Sequence, residues 1–269
     1  MKKLNSGDFF GVTDQKLEGN GLIFTNTTYI HEYVDWHHHE NAYFTFLLAG
    51  KMIEGDKKGE KQCNVGSLIF HNEEEMHYNI KSSDYTRGMH IELLPSWFQM
   101  NGEGLKNIEG SFEISDVNLK IIFHKILKET KNVDDLTLLG IENLVVNALG
   151  QLFSAQKIDS VYVPDWVKLV DELLKDNYLN PYSLTEIANI LGIHPVHLSR
   201  SFTKYFGCTL ANYIRKIRVE RALSELLGSK NTFSYIAHDC GFADQSHMIR
   251  CFKEFANTTP AQFRKLLRN

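Results

Sequence analysis

The spacing of apolar residues changes part-way along the chain. Between Gly21 and about Leu94, apolar positions come in short runs: YFTFLLAG (Tyr43–Gly50), SLIF (Ser67–Phe70) and MHIELL (Met89–Leu94). These are aromatic or β-branched runs bounded by Gly, Asn or Lys, the pattern of strands and turns. Several such strands at close spacing predict an antiparallel sandwich or barrel. From residue 111 onward the period lengthens to that of helices. Asp116 can cap a helix whose stripe is Leu119, Ile122, Phe123, Ile126 and Leu127. A second helix, Leu136 to about Ala155, carries Leu139, Val146, Leu149 and Leu152. Residues 111–156 thus read as a helical segment that covers the β-domain or pairs with a second subunit. Residues 157–163 lose periodicity and read as a linker.

Residues 164–269 are helical throughout and contain a repeat. IANILGIHPVHLSRSF and IAHDCGFADQSHMIRCF align at an offset of 49 through Ile187/Ile236, Ala188/Ala237 and Gly192/Gly241. After one added residue the offset becomes 50, and His197/His247, Arg200/Arg250 and Phe202/Phe252 coincide. A match that survives an insertion just after glycine predicts two helices joined by a turn, made twice. Ser183 with Glu186 forms a capping box ahead of the first pair, Gly192 turns the chain, and Pro195 opens the next helix. His194 is a poor cap by residue type. In the second copy Thr232 and Asp244 are the caps and Gly241 the turn. On the helix from Pro195 to Phe206, Leu198, Phe202 and Tyr205 form the core face, leaving Val196, Ser199, Arg200 and Thr203 on other faces. On Gln245–Phe255 the core face is Met248, Phe252 and Phe255, and the outward candidates are Gln245, Ser246, Ile249 and Arg250. A helix locked on one side and free on the other fits a major groove, where Arg bonds bidentately to guanine. Thr209 to Leu227 reads as one long helix between the copies.

Charge sharpens this division. The net charge of −4 averages unlike parts: residues 1–163 carry 15 Lys/Arg against 23 Asp/Glu, net −8, while residues 164–269 carry 14 against 10, net +4. A basic part beside an acidic one fits contact with phosphates. The four cysteines (Cys63, Cys208, Cys240, Cys251) show no CxxC spacing, which argues for a reducing, cytoplasmic setting without structural zinc. No secretory signal and no membrane-length apolar run is apparent.

Candidate chemistry in the first half centres on WHHHE, Trp36–Glu40, where strand alternation puts His37 and His39 on one face. His37 to Gly50, followed by Gly66 to His77, resembles the two motifs of the cupin barrel. The resemblance places its histidine positions on His37, His39 and His77. It departs at Tyr43 and Phe44, which stand where the family has Glu, and at Asn72–Glu75, which replace Pro-x-Gly. The three histidines fit a divalent metal with an open position, a polar wall for a small ligand, or backbone-satisfied residues. No cofactor is expected. Strand alternation and motif position give Trp36, His37, His39, Tyr43, Phe70, His77 and Tyr78 as candidate lining of an effector pocket.

The helical part, from SLTEIANILGIHPVHLSRSF through GFADQSHMIRCFKEF to TTPAQFRK, resembles the DNA-binding domain of AraC/XylS transcription regulators. The resemblance implies two helix-turn-helices on a linking helix, reading successive major grooves. Its base-reading positions fall on Val196, Ser199, Arg200, Gln245, Ser246, His247, Ile249 and Arg250. Phosphate contacts are expected from Lys204, Arg215, Lys216, Arg218 and Lys253. His194 and Thr203 depart from the family's usual Ser and Lys. The expected protein is therefore α+β and multidomain. A cupin-like barrel spans 1–110, a helical segment 111–156, a linker 157–163 and an AraC-type DNA-binding domain 164–269. The expected partners are promoter DNA, a small-molecule effector, a second subunit and RNA polymerase, with no membrane. A metal-dependent cupin enzyme carrying a helical tail is the rival reading.

Overall fold

A computed structural model describes residues 2–102, 108, 110–159 and 164–267. The first half is built from β1 (Lys2–Leu4), β2 (Val12–Gly19), β3 (Leu22–Tyr29), β4 (Tyr33–His39), β5 (Ala42–Ala49), β6 (Met52–Asp56), β7 (Gly59–Cys63), β8 (Leu68–His71), β9 (His77–Lys81), β10 (Thr86–Leu93) and the short β11 (Phe112–Glu113). Among the described residues the hydrogen-bonded pairs make two sheets, in the orders β1-β4-β9-β6-β7 and β11-β8-β5-β10-β3-β2. The expected sheet-rich half is present as two facing layers rather than one continuously bonded ring. Pairing is antiparallel except that Lys2–Leu4 run parallel to His37–His39. The strong apolar runs form the middle of the larger sheet: β5 pairs with β8 and β10, and β10 with β3. Both faces of β5 are covered, which explains its unbroken apolar sequence.

Alternation along β5 divides the domain. Tyr43 and Thr45 line a pocket between the sheets. Phe44 and Phe46 point the other way, onto Phe123 of α2 (Val117–Glu129), with ring centroids 5.1 and 5.9 Å apart. A short α1 (Pro95–Asn101) buries Trp97 and Phe98 on the way. Asp116 caps α2 as expected, its side chain accepting from Leu119 N at 2.9 Å. The predicted stripe of α2 is wholly buried, and Val117, Ile121 and His124 are buried with it. A helix buried on so much of its circumference has a second partner, and here that partner is the helical half of the chain.

α3 (Thr137–Asp159) departs from the predicted stripe. Leu149 and Leu152 are buried, together with Ile141, Val145 and Ala148, while Leu139 and Val146 are 60 and 38% exposed. The buried series at i, i+4, i+7, i+8, i+11 is the true core face, because α3 packs on α2 along that side. The helix runs on to Asp159, so residues 157–159 of the expected linker are helical; 160–163 lie outside the described residues.

The second half comprises α4 (Asp165–Asp176), α5 (Leu184–Leu191), α6 (Pro195–Phe206), α7 (Leu210–Gly228), α8 (Phe233–Asp239), α9 (Gln245–Ala256) and α10 (Pro260–Leu267). α5–α6 and α8–α9 are the two copies of the repeat, strung on α7. One contiguous set of buried residues joins the larger sheet, α2 and α3 to the helices of the second half. α2 packs on α7 and α9, and α7 also touches β5. Polar contacts cross the same seam, with Lys216 Nζ donating to Asn118 Oδ1 at 2.7 Å and Lys128 Nζ to Asn257 O at 3.5 Å.

Candidate nucleic-acid interface and buried pocket

α6 and α9 are each set by a cap and by the turn before it. The Ser183–Glu186 capping box is complete, with Glu186 N donating to Ser183 Oγ at 3.2 Å and Ser183 N to Glu186 Oε2 at 2.7 Å. Gly192 ends α5 in the left-handed region at φ 64°, where glycine has no Cβ to clash. His194, a poor cap by type, does cap α6: its Nδ1 accepts from Val196 N at 3.3 Å. In the second copy Asp244 Oδ1 accepts from His247 N at 2.6 Å. Gly241 turns the chain at φ 77°, close against Arg218, whose Nε lies 3.0 Å from where a Cβ would stand.

These local devices present the predicted faces. Leu198 and Phe202 of α6, and Met248, Cys251 and Phe252 of α9, are buried. Val196, Ser199 and Arg200 are exposed, as are Gln245, Ser246 and Arg250. Among the described residues Arg200 and Arg250 make no hydrogen bond or ion pair. Ile249 is half-buried. His247 is half-buried and does not face freely outward: its Nδ1 accepts from Ala243 N at 3.3 Å and its ring meets Phe242 edge-on at 5.5 Å. Gln245 Oε1 accepts from Ser234 Oγ at 3.0 Å, tying the reader helix to α8.

The expected phosphate-contacting cations divide. Lys204 and Lys253 are exposed. Arg215, Lys216 and Arg218 are half-buried and engaged within the fold. Arg215 donates to Asn212 and pairs with Glu254 at 3.5 Å. Lys216 holds Asn118 and lies over the Phe255 ring. Arg218 donates from Nε and Nη2 to Tyr178 O at 3.0 and 2.9 Å. α7 is packed on several sides by both repeats and by α2, so little of its surface is left for a ligand.

A pocket lies between the two sheets. His37, His39, Tyr43 and His77 line it as expected, but Trp36, Phe70 and Tyr78 do not. Each of those three sits one residue out of phase with an inward neighbour. Trp36 and Tyr78 pack on each other outside at 4.9 Å, and Phe70 is buried on the opposite side of its sheet against Phe44 at 5.1 Å. In their place the wall includes Glu54, His71, Asn79 and His90, with Phe9 and Phe10 from the segment after β1. Phe9 stacks on His90 at 3.6 Å, and Phe10 meets His37 edge-on at 4.9 Å. His90 is fully engaged, its Nδ1 with Thr25 Oγ1 at 3.1 Å and its Nε2 with Tyr29 OH at 2.8 Å. Burial holds His77 and His90 down at about 3 and His71 well below its ordinary value, while pushing Glu54 up to about 8. Glu54 Oε1 and His71 Nδ1 lie 3.2 Å apart. At neutral pH that contact joins two largely uncharged groups and is not an ion pair. The His37–His39–His77 trio does converge, with donor atoms within 4.8 Å of one another, and so does a second trio, Glu54–His71–His77.

Residues 187–266 match a family model described as a helix-turn-helix domain. PqrA of Proteus vulgaris, a probable transcription factor, is 37% identical over 103 residues, which are 38% of this chain and 83% of that protein. This chain belongs to the AraC/XylS family. AdaA of Bacillus subtilis, a bifunctional transcriptional activator and DNA repair enzyme, is 33% identical over 102 residues, 38% of this chain; the chain spans 48% of AdaA's length. The uncharacterized HTH-type regulator YbfI of Bacillus subtilis is 27% identical over 231 residues, 79% of this chain and 80% of YbfI. Similarity to another regulator therefore extends well beyond the helix-turn-helix pair.

For an AraC/XylS member, the reader helices were readable because the repeat fixes both copies at once. The pocket residues His71, Glu54 and His90 carry a weaker signal. His71 and His90 each sit beside apolar residues that point to the opposite face, so strand parity alone separates them from the core. Glu54 lies in a strand of mixed sequence, MIEGD, where neither run nor motif marks it. No described helix is long and apolar enough to cross a membrane.

Proposed function

We propose that this protein is a cytoplasmic transcription regulator that binds promoter DNA through α6 and α9 and responds to a small molecule in the pocket between the β-sheets. The observation that carries this reading is the equivalence of Arg200 and Arg250. Both are exposed and unpartnered, and both stand on helices whose opposite side is buried. Val196, Ser199, Gln245 and Ser246 accompany them as base-reading residues, with Lys204 and Lys253 on phosphate. The two faces share only the arginine, since Val196 is matched by Ser246 and Ser199 by Ile249. One subunit therefore reads an asymmetric half-site, its two contacts about 34 Å apart along the duplex.

A path for the response runs through β5 and α2. Tyr43 and Thr45 face the ligand, Phe44 and Phe46 face α2, and α2 bears on α7, which spaces the two readers. A ligand acts along this path only by binding one arrangement of the halves better than the other. Pairing of two subunits is supported by the outward apolar stripe of α3, where Leu139 and Val146 are 60 and 38% exposed, with Leu136 just before the helix 68% exposed. RNA polymerase is the further partner of this reading.

Footprinting on a genomically mapped site tests it. Arg200→Ala and Arg250→Ala are each expected to weaken specific binding by about 1–3 kcal/mol and to relax base preference at one contacted position. If both variants leave the footprint and its sequence preference unchanged, the reader assignment is wrong.

A further inference from the structure

The pocket holds two buried groups that neither the fold nor the DNA-binding reading requires. His71 is 2% exposed, and neither of its ring nitrogens has a hydrogen-bond partner other than the carboxyl of Glu54. Glu54 is 8% exposed and, among the described residues, its carboxyl has besides His71 a single side-chain hydrogen bond, from Asn79 Nδ2 at 3.3 Å. Burying an imidazole and a carboxyl with so little satisfaction is unfavourable, because each loses its hydrogen bonds to water without replacing them. An apolar pair of the same volume would avoid that cost.

We propose that Glu54, His71 and His77 form a binding site for a divalent transition-metal ion of borderline softness, such as zinc, cobalt or ferrous iron. Their donor atoms already lie within 4.8 Å of one another. Atoms sharing one ion at about 2.0–2.2 Å are roughly 3.5 Å apart, so a side-chain adjustment of about 1 Å closes the site. The orientation of each donor is fixed from behind. His77 Nδ1 donates to the carbonyl of Glu75 at 3.2 Å, which leaves Nε2 as the lone-pair nitrogen facing inward. A metal-ligating imidazole is held in this way by its other nitrogen. Tyr43 OH now donates to that Nε2 at 3.1 Å and turns aside when an ion binds. The same tyrosine lies flat on His71, with centroids 4.3 Å apart and planes 7° from parallel, and fixes the ring's plane with its nitrogen edge toward Glu54. Two imidazoles and one carboxylate leave open coordination positions, the arrangement typical of catalytic zinc and non-haem ferrous sites.

This is not the trio that the motif spacing selects. His37, His39 and His77 also converge, and share His77 with the proposed site. Charge separates the two. The three histidines are neutral and bring no anion to offset a buried dication, whereas Glu54 supplies one when it gives up its proton to the metal's advantage. His37 and His39 also face Phe10 and Phe9 across the pocket, with ring centroids 4.9 and 4.8 Å apart. The inference stands apart from the regulatory reading, because it is measured without DNA or effector.

The test uses the full chain, stripped with a chelator and titrated with cobalt(II) while visible d–d absorption is recorded, with zinc(II) as competitor. One ion per chain is expected, with affinity lowered by at least about tenfold in Glu54→Gln and in His71→Asn. His37→Asn is expected to bind within about twofold of the unaltered chain by the same scale. Melting of each metal-free variant confirms that it is folded, and Glu54→Gln, nearly isosteric, guards against collapse of the pocket. Saturable binding lost in Glu54→Gln but kept in His37→Asn establishes the site. Loss in His37→Asn with retention in both Glu54→Gln and His71→Asn transfers the ion to the other trio and overturns the assignment. Absence of stoichiometric cobalt or zinc binding by the unaltered chain overturns it as well.

Discussion

Lys204, Lys253 and Arg218 are all cations of the helical half, yet what each can offer to DNA depends on what the fold has already taken. Arg218 spends its guanidinium on the carbonyls of Tyr178 and Leu179, bracing the loop after α4 against the turn at Gly241. Lys204 and Lys253 are exposed and have no ion-pair partner among the described residues. Arg218→Ala should therefore act on stability, lowering it by about 1–3 kcal/mol through the loss of charged hydrogen bonds to carbonyls. Lys204→Ala should leave stability within about 0.5 kcal/mol and flatten the dependence of log affinity on log salt by about one. Thermal melts and DNA titrations at several salt concentrations separate the two. A lower salt slope in Arg218→Ala without loss of stability would put that residue back on the phosphates. The sequence alone could not make this division. It places Arg215, Lys216 and Arg218 on a basic stretch, but Lys216 and Arg218 are engaged by residues far along the chain, Asn118 and Tyr178, and Arg215 by Glu254 as well as its neighbour Asn212.

Elements whose identity rests on local signals were legible: the capped helices around Gly192 and Gly241, the stripe of α2, and the β-rich character of the first half. What could not be read was which surface each element would meet. α3 shows the difficulty most clearly, because it has apolar residues on two faces and periodicity does not rank them. The face that packs on α2 is Ile141, Val145, Ala148, Leu149 and Leu152, leaving Leu139 and Val146 outside. Phase was likewise lost by one residue at Phe70, since a strand covered on both faces gives no alternation to count from. Trp36 and Tyr78 lie on strands with one face toward solvent, where the alternation that turns His37 and His77 inward turns their neighbours out. The outer stripe of α3 carries its own prediction. Leu139→Glu combined with Val146→Glu should leave the monomer's stability nearly unchanged, because both side chains already face solvent. It should shift the molecular mass measured by light scattering from two subunits to one. A single-subunit mass for the unaltered chain at tens of micromolar would remove the basis for assigning dimerisation to α3.

At the scale of the whole molecule, the seam between the two halves contains a titratable group with no polar partner. His124 of α2 is 1% exposed, lies 4.9 Å from Phe46 and 5.9 Å from Phe263 between ring centroids, and has both ring nitrogens unbonded. Burial, helped by the nearby Lys120 charge, holds its pKa at about 3 against an ordinary 6.5; Lys125 and Lys128 line the same seam. The consequence for stability has a definite sign. Above pH 6.5 His124 is neutral whether or not the halves are docked, and its burial carries no proton penalty. As pH falls from 6.5 toward 3, the open or unfolded chain takes up a proton that the docked chain refuses, so stability is lost across that window and no further below it. Between pH 7 and pH 5 the share due to His124 is about 2 kcal/mol, close to one pKa unit's worth of free energy for each pH unit below 6.5. Other buried histidines titrate in the same direction, so the informative quantity is a difference. Denaturant unfolding of the unaltered chain and of His124→Gln at pH 7 and pH 5 should show the variant losing about 2 kcal/mol less on acidification. Equal losses in the two would mean that the seam opens without exposing His124. Because α7 bears on α2 at this histidine and spaces the two reader helices, loosening the seam changes the same contact through which a ligand at β5 would act.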